Sequence, residues 1–499
     1  MKTKAHILLF VLCFFVIESK AQIYFNNRYD TFGSCDGTNG IDTMFNGYVS
    51  AEITCSSVSY YTFLLNSYHY DGTINKSKPF LIPNTNFLPN SGRYIRINST
   101  QFYVSGERTY KTDTTMAFLW RFNFNLDSIF YKEYGYVNQT NVVTSFIKST
   151  NYIYMVGYND ILSTNSDVLL IKTDTAGNEI WKKKIGLAGW DENAYTIKLC
   201  ANNNLLISGL KRGHNSSYGG DYVLRIDTSG AIIWQYFYPS TNYAAGSLDV
   251  MELPNGNIAF TGDDAFTTGP DGVYRKPTLG LLDVNGNLIW RKSYGDKFVG
   301  HDFYKLLINH KNNFVACGTI GYSSSIVNGM AYEISQNGDS IFSREYTIMP
   351  GSQNYFRDMI QTDDGGYCFA GFASPIFANG GTGTEDIWLL KVDSNFCESA
   401  TPCGYGVGLA PLSFGEGLGV RLYPNPANDV LNIEFSTTLE LKEQTITIEL
   451  TNALGQVVLN ETSSAQNLKL KTNNLQSGLY YLSIKTKDKI VTRKIMIQK

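Results

Sequence analysis

Asp167-Val-Leu-Leu-Ile-Lys-Thr-Asp-Thr-Ala-Gly-Asn-Glu-Ile-Trp181 reads as a strand, a glycine-containing tight turn and a second strand ending on an aromatic ring. The pattern returns as Asp221-Tyr-Val-Leu-Arg-Ile-Asp-Thr-Ser-Gly-Ala-Ile-Ile-Trp234 and as Leu279-Gly-Leu-Leu-Asp-Val-Asn-Gly-Asn-Leu-Ile-Trp290. Weaker copies end at Phe130 and Phe342, so these aromatics are separated by 51, 53, 56 and 52 residues. A second column keeps the rhythm. Gly106, Gly157, Gly209, Gly262, Gly318 and Gly371 each close a short apolar run such as Phe314-Val-Ala-Cys, at spacings of 51, 52, 53, 56 and 53. Two independent columns with one period define a structural repeat, and four short strands per roughly 50 residues is the pattern of a β-propeller blade.

The repeat predicts an all-β chain with a seven-bladed β-propeller of four-stranded blades. Glycine suits closely packed strands, while Trp and Phe fill the wedge that widens toward the rim. Counting back from Phe130, the aromatic position falls at Lys76 after Asp71-Gly-Thr-Ile, and then at Phe25. There, Phe25-Asn-Asn-Arg-Tyr-Asp30 resembles Trp290-Arg-Lys-Ser-Tyr-Gly-Asp296. At the other end Glu385-Asp-Ile-Trp-Leu-Leu-Lys-Val-Asp393 supplies a third strand, but Cys397 and Pro402 interrupt the pattern before a fourth. The strand around Phe25 is therefore expected to complete the last blade and cover its edge. Six or eight blades also fit, because the first copy is the least regular.

Both chain ends carry targeting features. Lys2 and Lys4 precede an apolar run from Ile7 to Ile17, with Ser19 and Ala21 before Gln22, the pattern of a cleaved secretory signal over residues 1–21. Eleven apolar residues are too short to cross about 30 Å of hydrocarbon, and no transmembrane segment is expected in the mature protein. The propeller is assigned to residues 22–403. Gly404-Tyr-Gly-Val-Gly-Leu-Ala-Pro-Leu-Ser-Phe-Gly-Glu-Gly-Leu-Gly419 follows, so 404–421 read as a glycine-rich linker. Beyond it come Leu422-Tyr-Pro-Asn-Pro-Ala-Asn-Asp-Val-Leu-Asn-Ile433, Asn452-Ala-Leu-Gly-Gln-Val-Val458, Leu475-Gln-Ser-Gly-Leu-Tyr-Tyr-Leu-Ser-Ile484 and Arg493-Lys-Ile-Met-Ile-Gln-Lys499.

These four motifs, in this order, resemble the type A C-terminal sorting domain of Bacteroidetes proteins exported by the type IX secretion system. The resemblance covers residues 422–499 and rests on Tyr423, Pro424, Asn425, Pro426, Gly455, Gly478, Tyr480 and Lys494. It implies a small Ig-like β-sandwich, passage through the periplasm to the cell surface or medium, and, as partners, the secretion machinery and a peptidase that removes the sorting domain.

Net charge is −3, with the acidic excess in the body rather than the tail, which argues against nucleic acid as a partner. Catalytic motifs are sparse. The mature chain has His only at 69, 214, 301 and 310, and lacks both a His-Glu-x-x-His arrangement and a Gly-x-Ser-x-Gly turn. No metal or other cofactor is expected, since Asp174, Asp227 and Asp283 lack the closing carboxylate of a calcium loop and suit tight turns. Cys35 with Cys55, and Cys397 with Cys403, are candidate disulfides, while Cys200, Cys317 and Cys368 fit buried free thiols. Thirteen residues before each marker glycine lies a polar column: Arg93, Thr144, Thr196, Asp249, Lys305 and Asp358, with Asn39 in the first copy. Arg93, Asp249, Lys305 and Asp358 are the candidate ligand-binding residues at the channel mouth. The expected function is a surface propeller that binds a protein or glycan without catalysis. The alternative is a carbohydrate-active lyase or hydrolase whose carboxylates converge only in space.

Overall fold

The computed structural model describes residues 22–499, except 31–35, 45, 58–59, 81–84, 89–95, 98–99, 111–113, 161–164, 215, 217, 241–245, 247, 270–271, 296–299, 323–325, 376–384, 400–419, 424–426, 436–445, 453–455, 464–466 and 486–489. The expected signal peptide and most of the glycine-rich linker lie outside these residues. Every regular element among those described is a β-strand.

The body forms five sheets, and grouping its strands by antiparallel pairing gives seven units, with units 2 and 3 bridged by the parallel pair Thr115–Thr140 and units 6 and 7 by Val327–Gln353. Unit 1 has strands Asp36–Met44, Gly47–Ser57, Tyr60–His69 and Ile74–Phe80. Unit 2 has Thr85–Leu88 and the short Arg96–Ile97 beside Gln101–Tyr110, then Thr115–Asn123 and Ser128–Tyr134. Units 3 to 6 each supply four strands in chain order, within Thr140–Ile185, Trp190–Pro239, Val250–Ser293 and Gly300–Tyr346. Unit 7 takes Gln353–Gln361, Tyr367–Ser374 and Asp386–Val392 from the end of the body. Its fourth strand is Phe25–Tyr29, antiparallel to the third, with Phe25 opposite Lys391 and Tyr29 opposite Ile387.

Burial explains the two kinds of strand sequence. Third strands such as Gly219–Ile226 and Asp386–Val392 are buried along their whole length, because a neighbouring unit covers each face. They therefore carry apolar residues on both faces, as in Tyr222-Val-Leu224 and Ile387-Trp-Leu-Leu390. Fourth strands are more open: no residue of Ile232–Pro239 or Glu179–Ile185 is buried, and the latter carries three consecutive lysines. Separate apolar cores occupy the seams between successive units. Phe63, Phe102 and Trp120 join units 1 and 2, while Phe356, Phe369 and Trp388 pack with Val315 and Phe342 between units 6 and 7. A further core joins unit 7 to unit 1, through Phe25, Ile387 and Leu389 with Ile41, Tyr48 and Tyr68.

Both repeat columns have a packing cause. A Cβ on Gly157, Gly209, Gly318 or Gly371 would lie 2.0, 1.9, 1.7 or 1.8 Å from a carbonyl oxygen of its unit's first strand, so no side chain fits there. The aromatics lie against the tight turn of the following unit. Added Cβ atoms on the turn glycines Gly177, Gly230, Gly286 and Gly338 would strike Phe130, Trp181, Trp234 and Trp290 respectively, and Gly72 of unit 1 is covered in the same way by Phe25 of unit 7. These turn glycines have φ between 77° and 84°, the left-handed region that favours glycine. Four residues past the aromatic, Tyr134 and Tyr294 donate to the carbonyls of Gly177 and Gly338 at 2.7 and 2.9 Å, and Tyr29 donates to that of Gly72.

The tail forms two sheets, one of Val420–Tyr423, Val430–Phe435 and Asn467–Lys471, the other of Val457–Ser463, Ile446–Asn452, Gly478–Lys485 and Ile490–Ile497. They share one aliphatic core, in which Leu431, Ile433 and Leu470 meet Ile446, Ile448, Leu482 and Ile495.

Candidate functional site

Apart from Arg93, outside the described residues, and Asp249, just before Val250–Glu252, the polar column lies on the first strands at or beside β-bulges: the register slips between Val143 and Ser145, Ala194 and Thr196, Phe303 and Lys305, Phe356 and Asp358, and Thr38 and Ile41. Its side chains bond to the next unit. Thr144 donates to the Ala194 carbonyl at 2.8 Å and Thr196 to that of Leu248 at 2.9 Å. Asp249 accepts from the Leu306 amide at 3.0 Å and meets Lys198 at 3.4 Å. Lys305 pairs with Asp358 at 2.9 Å, and Asp358 accepts from the Ile41 amide of unit 1 at 3.1 Å. Asp249 and Asp358 are buried. The structure thus brings Asp249, Lys305 and Asp358 into one chain of contacts between units, and the side chain of Arg93 lies outside the described residues.

The polar groups without such bonds occupy neighbouring positions. Directly after the marker glycines stand Glu107, Tyr158, Leu210, Asp263, Thr319 and Phe372. Asp263 accepts from the Gly246 amide at 3.2 Å and pairs with Arg275 at 3.3 Å. Burial, reinforced by the Asp302 charge, holds its carboxyl well above the usual range, against the pull of Arg275. Burial also raises Asp302, opposed by Arg275 and Arg357. Arg357 lies over the Tyr304 ring at 4.2 Å, with the Tyr355 and Phe372 rings at 5.3 and 5.4 Å. Among the described residues Arg357 has no ion pair within 4.0 Å. Tyr355 and Phe372 stack at 4.7 Å. Across the column, Glu107 is pushed to about 7 by burial, and its Oε2 has no hydrogen-bond partner among the described residues.

Asp263, Asp302, Arg275 and Arg357, from units 5, 6 and 7, therefore form a charged cluster walled by aromatic rings. In the sequence His301-Asp302 is a single pair of neighbours outside the repeat columns, and the position after the marker glycine shares no residue type. The signal was present: a repeated structural position filled by Glu, Tyr, Leu, Asp, Thr and Phe is under no common packing demand. The His301 side chain lies outside the described residues.

The turn aspartates hold their own backbone. Asp174 accepts from Ala176 and Asn178 at 2.9 and 2.8 Å, and Asp283 from Asn285 and Asn287 at 2.8 and 2.9 Å. These bonds lower both carboxyls. Cys200, Cys317 and Cys368 are buried free thiols. Cys397 is disulfide-bonded; Cys403 and Cys35 lie outside the described residues, and Cys55 is on a strand with its side chain likewise outside.

In the tail, Tyr423 ends the first strand, and Gly478 and Tyr480 open the strand Gly478–Lys485, where buried Tyr480 donates to the Gln476 carbonyl at 3.0 Å. Lys494 stands opposite Tyr481 on the last strand, while Pro424, Asn425, Pro426 and Gly455 lie outside the described residues. Residues 421–498 match the family model described as a secretion system C-terminal sorting domain. The tail is a type IX sorting domain. Such a sorting domain directs export to the cell surface or the extracellular space. No helix among the described residues is long and apolar enough to cross a membrane. No curated protein matches the chain.

Solved structures resemble it distantly. PorZ, a surface component of the type IX secretion system of Porphyromonas gingivalis, is 12% identical with a TM-score of 0.39, over 93% of this chain and 59% of PorZ. A subtype N11 neuraminidase-like protein of A/flat-faced bat/Peru/033/2010 is 12% identical with a TM-score of 0.37, over 75% of this chain and 94% of its own. An endo-arabinase from Bacteroides thetaiotaomicron is 10% identical with a TM-score of 0.31, over 52% and 94%. At these TM-scores the likenesses carry no functional weight.

Proposed function

We propose that residues 22–403 close as a seven-bladed propeller, joined by residues 404–421 to the sorting domain at 422–499, and that the exported protein binds a protein or glycan ligand at one mouth of the ring without turning it over. Residues 1–21 would direct the chain to the periplasm, and a sorting-domain peptidase would remove the tail after outer-membrane passage. Closure is supported by the seam of unit 7 with unit 1, which repeats the contacts of the other seams. The binding reading is carried by Arg357, a cation without an ion pair among the described residues that lies on an aromatic wall beside Asp302. That combination suits a ligand with an anionic or hydrogen-bonding group and a flat apolar face. A second, hydrolytic reading is favoured by Asp263 and Asp302, two neighbouring acids with raised proton affinity. It is the weaker one, because Asp263 is buried and held by Gly246 and Arg275.

A screen of the mature protein against glycans and surface proteins tests this. Arg357→Ala should abolish capture of the ligand found, while unchanged capture rejects the mouth. Reducing ends released from a bound glycan, and lost in Asp302→Asn, would favour hydrolysis instead. Deleting residues 422–499 should leave the protein in the periplasm, and surface display of that truncation would contradict the export route.

A further inference from the structure

At most seams a long cation two residues past the rim position, aromatic in all but unit 1, straps the next turn. Lys78 pairs with Asp127 at 2.9 Å, Lys132 donates to Asn178 at 2.7 Å, Lys183 to the Ser229 carbonyl at 2.6 Å, Lys292 pairs with Asp339 at 2.8 Å, and Arg344 donates to the Phe396 carbonyl at 2.9 Å. Between units 4 and 5 that position is Tyr236, whose ring packs on Phe260 at 5.4 Å. With no cation at that position, and the Trp234 indole alone donating to the Val284 carbonyl of the next turn at 3.1 Å, this seam holds a cleft of about 470 Å³.

Its walls combine apolar surface with neutral polar groups. Trp234, Leu253 and Val284 supply the apolar side. Arg225, buried, pairs with Glu252 at 2.9 Å and reaches Asn202 at 3.2 Å, so the one cation and one anion of the lining cancel. The side-chain amides of Asn204 and Asn285 face no hydrogen-bond partner among the described residues, leaving two donor and acceptor groups unused.

We propose that this cleft is a binding site for a short neutral saccharide, separate from the mouth. An aromatic wall takes the apolar face of a sugar ring, amides that both donate and accept match its hydroxyls, and a lining without net charge selects against uronic and sialic acids. The volume lies in the range of small-ligand sites. Calorimetric titration of the full mature protein with maltohexaose, cellohexaose, mannohexaose and chitohexaose, with hexagalacturonate as the charged probe, tests it. At least one neutral probe should bind at one site per chain. Val284→Lys, which rebuilds a strap on an exposed turn, should weaken that binding at least about tenfold with an unchanged melting temperature. Asn285→Ala should weaken it without altering the fold. The proposal is overturned if no neutral probe binds at about 10 mM, if only hexagalacturonate binds, or if Val284→Lys binds like the wild type.

Discussion

At the seam between units 5 and 6, Trp290 covers Gly338 and Tyr294 donates to its carbonyl; at the seam between units 7 and 1, Phe25 covers Gly72 and Tyr29 donates to its carbonyl. The chemistry is the same, but the origin of the strands differs. Trp290 belongs to the hairpin of its own unit, whereas Phe25–Tyr29 comes from the other end of the body, and Asn26 bonds the Trp388 indole 362 residues away at 2.7 Å. The regular seam follows from local hairpin formation. The closing seam joins segments 362 residues apart and must recover the larger entropy of bringing them together. Equivalent contacts thus carry different burdens: a regular seam stabilises two neighbours, while the closing one stabilises the body as a whole.

Substitutions at matched positions can break that comparison. Phe25→Ala removes a buried ring from the closing core and should cost about 3–5 kcal/mol, seen as a lower denaturation midpoint. Trp290→Ala, at a half-buried position, should cost less; the reverse order would remove the special role of the closing seam. Next in size are Tyr29→Phe and Tyr294→Phe. Each deletes one hydrogen bond to a turn carbonyl and should cost about 1 kcal/mol. Equal losses would mark the seams as chemically equivalent, and a loss at Tyr294 alone would show that the bond of Tyr29 is not made in solution.

A further comparison is in pH dependence. Buried Glu52 of unit 1 accepts from Ser50, Tyr68 and Asn66, and burial raises its pKa from an ordinary 4.5 to about 8. A raised acid stabilises the fold fully below its unfolded value, and that contribution is lost as pH rises through about 8. Melting temperature should therefore fall between pH 5 and pH 8, and Glu52→Gln should flatten the decline. Melting curves of the two proteins across that window are the check. An identical slope would mean that Glu52 keeps an ordinary pKa.

Much of this architecture was legible because a repeated unit writes its packing rules several times over. Gly157, Gly209, Gly318 and Gly371 all meet a carbonyl, and Trp181, Trp234 and Trp290 all meet a turn, so each constraint appears as a column in the sequence. The match of Phe25-Asn-Asn-Arg-Tyr29 to Trp290-Arg-Lys-Ser-Tyr294 was visible for the same reason, although the work of the two tyrosines was not. The tail was legible differently, through separated short motifs rather than a period. The charged cluster was hidden because Asp263, Asp302 and Arg357 come from three units, each position fitting no shared rule. Asp249, Lys305 and Asp358 stood out as polar residues in a regular column, yet such a column also marks where one unit bonds the next.

The measurement nearest to the central claim is amide hydrogen exchange in the intact protein and in one lacking residues 22–29. If Phe25–Tyr29 is the fourth strand of unit 7, its amides exchange as slowly as those of Asp386–Val392, and the deletion speeds exchange across Asp386–Val392 and Asp36–Met44. Rapid exchange of residues 25–29 in the intact protein, with Asp386–Val392 unaffected by their removal, would contradict the closed body.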